Sequence, residues 1–462
     1  MQLQNKSTNL WGNFFRLGMP QIRAFHMSWF AFFLCFFAWF GIAPLMGVVR
    51  DELSLTKSQV GWCIIASVAI TVVARLFIGW LCDRIGPRLS YTWLLILGSL
   101  PVMGIGLAHD FTTFLIFRLM IGVIGASFVI TQYHTSIMFA PNVVGTANAT
   151  SAGWGNLGGG VTQLVMPLIF ALFVGVFGFT EAIGWRASMV VAGVVCLLTG
   201  IAYYLFTQDA PDGNFAQLRA ENKMPEGKRA NGAFLEACRD HRVWALFLIY
   251  GACFGIELTI NNVAALYFLD YFDYFKSMST VEAMGKAGMI ASIFGLMNIF
   301  ARTTGGILGD TFGGRWGLRG RVFWLFMALF CEGIALMLFS RMPTLVLAIP
   351  ALVAFSLFVQ MSEGATYSVV PFINQRALGA VAGIVGAGGN AGAVAAGFLF
   401  KGTLPWPTAL LILGMIVTGV SFCAFLVRFS CEAETGARRE YAEAANHTRE
   451  PETHSVLEPA VT

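Results

Sequence analysis

An all-α membrane protein, with twelve transmembrane helices in two pseudo-symmetric six-helix halves, is the fold class this sequence predicts, and three observations predict it. Apolar residues make up 57% of the 462-residue chain and charged residues only 12%, a balance outside the range of soluble globular proteins. Twelve apolar runs are long enough to cross a bilayer, since about twenty helical residues span a ~30 Å hydrocarbon core. Finally, Arg75 to Asp83 and Arg302 to Asp310 both read Arg-x-x-x-Gly-x-x-x-Asp and lie 227 residues apart.

Taken in order, the first run, Phe25 to Val49, follows Lys6, Arg16 and Arg23. It is too long for a signal-peptide core and has no clear small-residue cleavage site behind it, so it is expected to be an uncleaved first span. Val60 to Cys82 contains Arg75 as its single charge and leads through Arg84 and Arg88 into Tyr91 to Ala108. Phe111 to Phe139 carries Arg118, Gly153 to Phe177 is glycine-rich, and Ala187 to Phe206 closes the first six. The long polar stretch Thr207 to Arg242 divides the runs six and six. Val243 to Phe268 opens the second set, and Ala287 to Gly309 contains Arg302 as its single charge. Val322 to Phe339, Leu345 to Phe372, Ala380 to Phe400 and Ala409 to Val427 complete the twelve. The chain thus divides into a first half at 1–206, a central loop at 207–242, a second half at 243–429 and an acidic tail at 430–462.

Lysines and arginines in short loops set orientation. The N-terminus, the Arg84/Arg88 hairpin, the central loop and the Arg315/Arg319/Arg321 hairpin fall on one side, which is therefore expected to be cytoplasmic together with both termini. The tail holds seven acidic and three basic residues, so the net charge of +4 conceals a basic excess in membrane-adjacent loops. Such a distribution does not form a nucleic-acid patch. Nine scattered cysteines without a Cys-x-x-Cys indicate neither a disulfide framework nor a zinc site.

The chemistry concentrates in the two arginines. Asp83 and Asp310 stand at helix ends, and eight residues at 1.5 Å rise place each arginine about 12 Å inward, close to the midplane. A charge there costs roughly 2.5–3.5 kcal/mol on insertion scales, which marks it as functional. Guanidinium groups stay charged when buried and present a planar fork of donors, so two of them suit a small planar oxyanion. The alternative is that each pairs with a carboxylate of a neighbouring helix, for which Glu257, Glu332 and Glu363 are available. Arg118 fits a structural ion pair. A second repeat supports the duplication: Gly145 precedes Asn156, and Gly379 precedes Asn390, by the same eleven residues. Most glycines around these asparagines read as small-residue helix packing, whereas an amide among them needs a partner and can donate to an anion. Duplicated six-span halves are the arrangement of the major facilitator fold, with substrate bound near the midplane.

Several stretches resemble known signatures. Gly79 followed by Asp83-Arg84-x-Gly86-x-Arg88 is similar to the major facilitator loop motif Gly-x-x-x-Asp-Arg-x-Gly-Arg-Arg, with Pro87 departing from it. The resemblance implies that Gly79, Asp83, Arg84 and Arg88, with Asp310 in the second repeat, gate the cytoplasmic side. Ala152 to Gly160 and Gly386 to Gly392 resemble the paired glycine signatures of the nitrate/nitrite porter family, and Gln208 to Asn214 resembles a stretch of its high-affinity nitrate transporters. That likeness implies that Arg75 and Arg302 bind the oxygens of nitrate with Asn156 beside them and Asn390 in the matching position. It further implies that Phe128 packs on the anion and that Tyr250 and Phe254 are the family's tyrosine and second phenylalanine. Without it, ordinary core packing accounts for these rings in a chain with 42 phenylalanines.

Anion entry against a negative-inside potential costs about 2.3 kcal/mol per charge per 100 mV, so uptake needs a driving ion. Glu257, one turn from Phe254, is the leading proton carrier, with Glu363, His26 and His134 behind it. The expected function is secondary transport of nitrate or nitrite by alternating access with proton-coupled uptake. Nitrate/nitrite exchange, an organic-anion or phosphate exchanger, and a sensor that binds nitrate without flux are the alternatives. No enzyme activity, metal or cofactor is expected, because no nucleophile and base or paired haem histidines stand out. The expected partners are the anion, a proton and the lipid bilayer of a plasma or bacterial inner membrane, and the expected state is a monomer; an accessory subunit is left open.

Overall fold

A backbone inside hydrocarbon must satisfy every N–H and C=O internally, which drives each long apolar run into a helix. The computed structural model describes residues 5–139, 144–221, 233–374 and 378–436. Among them are twelve helices long and apolar enough to cross a membrane, and each coincides with one of the twelve runs. In the first half these are α1 (Pro20–Glu52), α2 (Lys57–Ile85), α3 (Pro87–Leu107), α4 (Phe111–Met138), α5 (Val144–Ala171) and α6 (Glu181–Phe206). The second half consists of α7 (His241–Tyr271), α8 (Thr280–Trp316), α9 (Leu318–Phe339), α10 (Leu345–Val369), α11 (Leu378–Lys401) and α12 (Trp406–Leu426).

Several helices outrun their apolar stretch because polar first turns are capped. Thr56 and Gln59 form a capping box at α2, and Asp240 accepts the Arg242 N–H at the start of α7. Three helices also contain local breaks. Pro44 lies in a 3₁₀ turn of α1, Gly122–Ala126 is a 3₁₀ segment of α4, and Met297–Ile299 interrupts α8 just before Arg302.

Within each half the packing repeats: α3 lies on α6 as α9 lies on α12, and α1 lies on α5 as α7 lies on α11. Between halves, α2 packs on α11 and α8 on α5, a pair of contacts related by the same pseudo-twofold. Glycines set the distance. A Cβ on Gly295 would stand 2.4 Å from the Gly160 Cα, and one on Gly61 would stand 2.2 Å from the Lys401 Cα. The expectation that most glycines serve helix packing agrees with this.

The end of the bundle opposite the termini is tied across the halves. Arg50 of α1 pairs with Asp270 of α7, Lys57 donates to the Leu404 carbonyl, and the Lys401 Nζ sits 3.8 Å above the Trp62 ring. Deeper in, Gln163 of α5 donates to the Asn261 carbonyl of α7 at 2.6 Å. At the end bearing the termini, the contacts of Arg88 with Tyr204, of Arg321 with Asp310 and of Asn374 with Glu236 each stay within one half.

Candidate functional site

Arg75 is set by two close approaches of α2. Thr71 one turn earlier donates to the Gly122 carbonyl of α4 at 2.7 Å, and a side chain at 122 would collide with the Ser67 carbonyl at 2.5 Å. The helix that restarts at Ser127 then places Phe128 beneath the guanidinium, 5.5 Å from its ring centroid. Across the halves, Arg75 Nη1 donates to the Gly386 carbonyl of α11 at 3.3 Å. Its buried Nε has no partner among the described residues.

Arg302 follows the break in α8. Its helix lies against α10 so closely that a Cβ on Gly364 would meet the Arg302 carbonyl at 2.1 Å, and the neighbouring Glu363 pairs with Arg302 Nη1 at 2.8 Å. Arg302 Nη2 donates to the Tyr250 hydroxyl at 2.9 Å. The Phe254 ring lies 6.0 Å from the guanidinium and stacks on Tyr250 at 5.2 Å, with Gly389 leaving room for it. Tyr367 meets Tyr250 edge-on at 5.2 Å, and its hydroxyl faces Gly386, the residue that Arg75 contacts. Gly386, Tyr367 and Tyr250 thus connect the two arginines, which come from opposite halves.

Arg75 makes no ion pair among the described contacts, whereas Arg302 pairs with Glu363, one of the three carboxylates available to it. Glu257 is not the carboxylate on Arg302. It accepts from Asn298 Nδ2, in the break of α8, at 2.7 Å, and its second oxygen is buried without a hydrogen bond among the described residues. Asn156 and Asn390 are buried; Asn156 Oδ1 and both polar atoms of Asn390 lack partners among the described residues. Neither asparagine has a described hydrogen bond to an arginine.

The other candidates separate from this cluster. Arg118 forms no ion pair among the described residues, contrary to expectation. It is buried and donates to Asn262 Oδ1 of α7 at 2.7 Å and to the Trp39 carbonyl of α1 at 3.3 Å, while the carboxylates of those two helices are engaged elsewhere, Asp51 and Asp270 with Arg50, Glu52 with Arg186 and Glu257 with Asn298. His26 contacts the Phe14 carbonyl, and His134 lies between the Tyr203 hydroxyl and the Gln208 carbonyl, both remote from the arginines. Among the gating residues, Arg88 grips the Tyr204 carbonyl and ring, the Arg84 carbonyl accepts from Arg219, and Asp310 pairs with Arg321. Gly79 has only ordinary contact space, with Val129 at 3.8 Å, and the Asp83 side chain lies outside the described ones.

Tyr367 and Asn298 were missed by sequence reasoning. Tyr367 stands one turn after Glu363 on the same helix face, a spacing that was readable. Asn298 needed the break in α8, for which the apolar run gives no signal.

A family profile described as Major Facilitator Superfamily matches residues 28–285. The chain is 38% identical over 428 residues to high affinity nitrate transporter 2.5 of Arabidopsis thaliana, covering 92% of this chain and 83% of the relative. It is 35% identical to nitrate transporter 2.1 of Chlamydomonas reinhardtii, covering 94% and 80%, and 30% identical to the nitrate/nitrite transporter NrtP of a Picosynechococcus strain, covering 80% and 83%. Among solved structures, the xylose transporter XylE from E. coli superposes with a TM-score of 0.65 at 13% identity, over 90% of this chain and 98% of that one.

Proposed function

The chain belongs to the nitrate/nitrite porters of the Major Facilitator Superfamily, and from that premise we propose that it carries nitrate across the membrane by alternating access of one central site. The observation that carries this reading is the pair of guanidinium groups, Arg75 and Arg302, brought from matched helices of the two halves over Phe128 and Phe254. Two planar forks supply donors to a trigonal anion. Ring faces on either side exclude water and leave little height for a tetrahedral oxyanion. The anion accepts from both guanidinium groups, one contributed by each half, and so favours the arrangement in which the halves close around it. A ligand moves such an equilibrium only through differential binding.

Coupling to a proton follows from the charge balance. With Arg75, Arg302, Glu257 and Glu363 ionised the site is formally neutral, and bound nitrate leaves it one charge negative. A proton on Glu363 restores the balance and releases Arg302 Nη1 from its 2.8 Å ion pair to donate to the anion. Glu363 is therefore the proton carrier in this reading, with Glu257 beside it. The contacts across the end opposite the termini correspond to a state open toward the termini, which the basic loops assign to the cytoplasm.

Nitrate uptake into proteoliposomes tests the site. Replacing either arginine by lysine keeps the charge and loses the fork, so Arg75→Lys and Arg302→Lys lower uptake at subsaturating nitrate by about ten- to a hundredfold, the value of one or two charge-assisted hydrogen bonds. Normal uptake by a well-expressed Arg75→Lys variant would overturn the clamp.

A further inference from the structure

Two buried carboxylates outside the site are placed alike in the two halves. α2 runs from Arg75 to a hairpin at Gly86, whose φ is +88°, and α8 runs from Arg302 to a hairpin at Gly317, whose φ is +72°. At the first hairpin, Asp209 accepts the Arg88 N–H through Oδ1 and the Phe215 N–H through Oδ2, both at 2.9 Å. At the second, Glu434 accepts the Leu318 N–H through Oε2 and the Arg319 N–H through Oε1, both at 3.0 Å. Each acid lies in the segment just after the last helix of its half, Asp209 beyond α6 and Glu434 beyond α12. Both are buried, at 3% and 8% exposure.

We infer that Asp209 and Glu434 are positioning residues of the transport cycle, fastening the hairpin that ends each arginine-bearing helix to the last helix of the same half. This rests on the transport reading above. The arginine helices then cannot slide against α6 or α12 at the end bearing the termini, and each half moves as one body. A side chain on Gly86 would stand 2.4 Å from Asp209 Oδ1, so glycine there serves both the left-handed backbone and the approach of the acid. Burial pushes the Asp209 carboxyl above the usual carboxylate range, and the Phe215 and Arg88 amides act against that shift. The charge is held by backbone donors at the start of α3 and of the short helix Phe215–Ala220, where an anion is favoured. The stretch Gln208 to Asn214 thereby gains a role that substrate binding does not give it.

The test compares Asp209→Ala, Asp209→Asn, Glu434→Ala and Glu434→Gln in proteoliposomes beside wild type, reading uptake and limited trypsin cleavage at the hairpin arginines. The expected result is half-specific: Asp209 variants speed cleavage at Arg84 and Arg88, Glu434 variants at Arg315 and Arg319. Maximal uptake should fall about tenfold in the alanine variants, less in the amide variants that keep one acceptor, with KM for nitrate within about twofold. Unchanged cleavage in the folded amide variants, or a loss of uptake expressed in KM, would overturn the inference. Absence of nitrate uptake by wild type would instead defeat the transport reading, and the cleavage pattern would still decide the fastening.

Discussion

At the scale of single residues, the chemistry turns on which carboxylate answers to the anion. Glu363 touches Arg302, whereas Glu257 is held one step back by Asn298. Neutralising Glu363 mimics the protonated carrier permanently. Glu363→Gln should therefore still exchange internal nitrite for external nitrate while losing the acceleration of uptake by an inward proton gradient; Glu257→Gln should retain more of that acceleration. A Glu363→Gln variant driven as strongly by the gradient as wild type would move the proton elsewhere, and uptake by wild type with internal nitrite alone, indifferent to pH, would make the protein an exchanger. The arginines were legible in the sequence because a lone charge in an apolar run has few structural explanations. The partners were not. Glu257, Glu332 and Glu363 were equal candidates until helix rotation selected one, and the one-turn spacing of Tyr367 from Glu363 carries meaning only once Glu363 is the one selected.

Among elements, the contact between α5 and α8 is made by two glycine backbones, and this fixes how closely the halves meet. In Gly295→Val, the Cβ would have to displace the Gly160 backbone from 2.4 Å, a far larger shift than a flexible side chain could absorb. Gly306 on the same helix faces open space, so Gly306→Ala gains helix propensity, about 1 kcal/mol, without a clash. Uptake at saturating nitrate should fall by about tenfold or more in the first variant and stay within about twofold in the second, since overpacking costs ~1–3 kcal/mol. Equal activity of the two would mean that α5 and α8 are not in register as described. The twelve helices themselves were readable, since length and hydropathy alone define a span. Their internal breaks were not: Gly122–Ala126 yields to the Trp39 ring and the Ser67 carbonyl packed against it, a demand that comes from other helices and leaves no mark in the local hydropathy.

For the whole molecule, the repeat of Arg-x-x-x-Gly-x-x-x-Asp announced the two halves, but no sequence pattern announces which end is closed, because every state of the cycle buries the same apolar runs. Two polar contacts between the halves differ in what they contribute to the closed end. Arg50 and Asp270 keep 28% and 30% side-chain exposure, so their pair is worth roughly 0.2–1 kcal/mol, at most a fivefold change in population. Arg118 is buried, and Asn262 supplies its shortest hydrogen bond; removing that acceptor leaves a buried charge short of a partner, at a cost of about 1.5–3 kcal/mol, or some ten- to a hundredfold. Cys63, buried on α2 in the closed end, reports the difference. In vesicles treated from outside with a membrane-impermeant maleimide, Asn262→Leu should raise Cys63 labelling by tenfold or more and Asp270→Asn by less than fivefold, read peptide by peptide in a mass spectrometer. The reverse order would mean that the rim pair, rather than the buried arginine, holds that end shut; equal labelling of both variants and wild type would mean that the glycine contacts alone suffice.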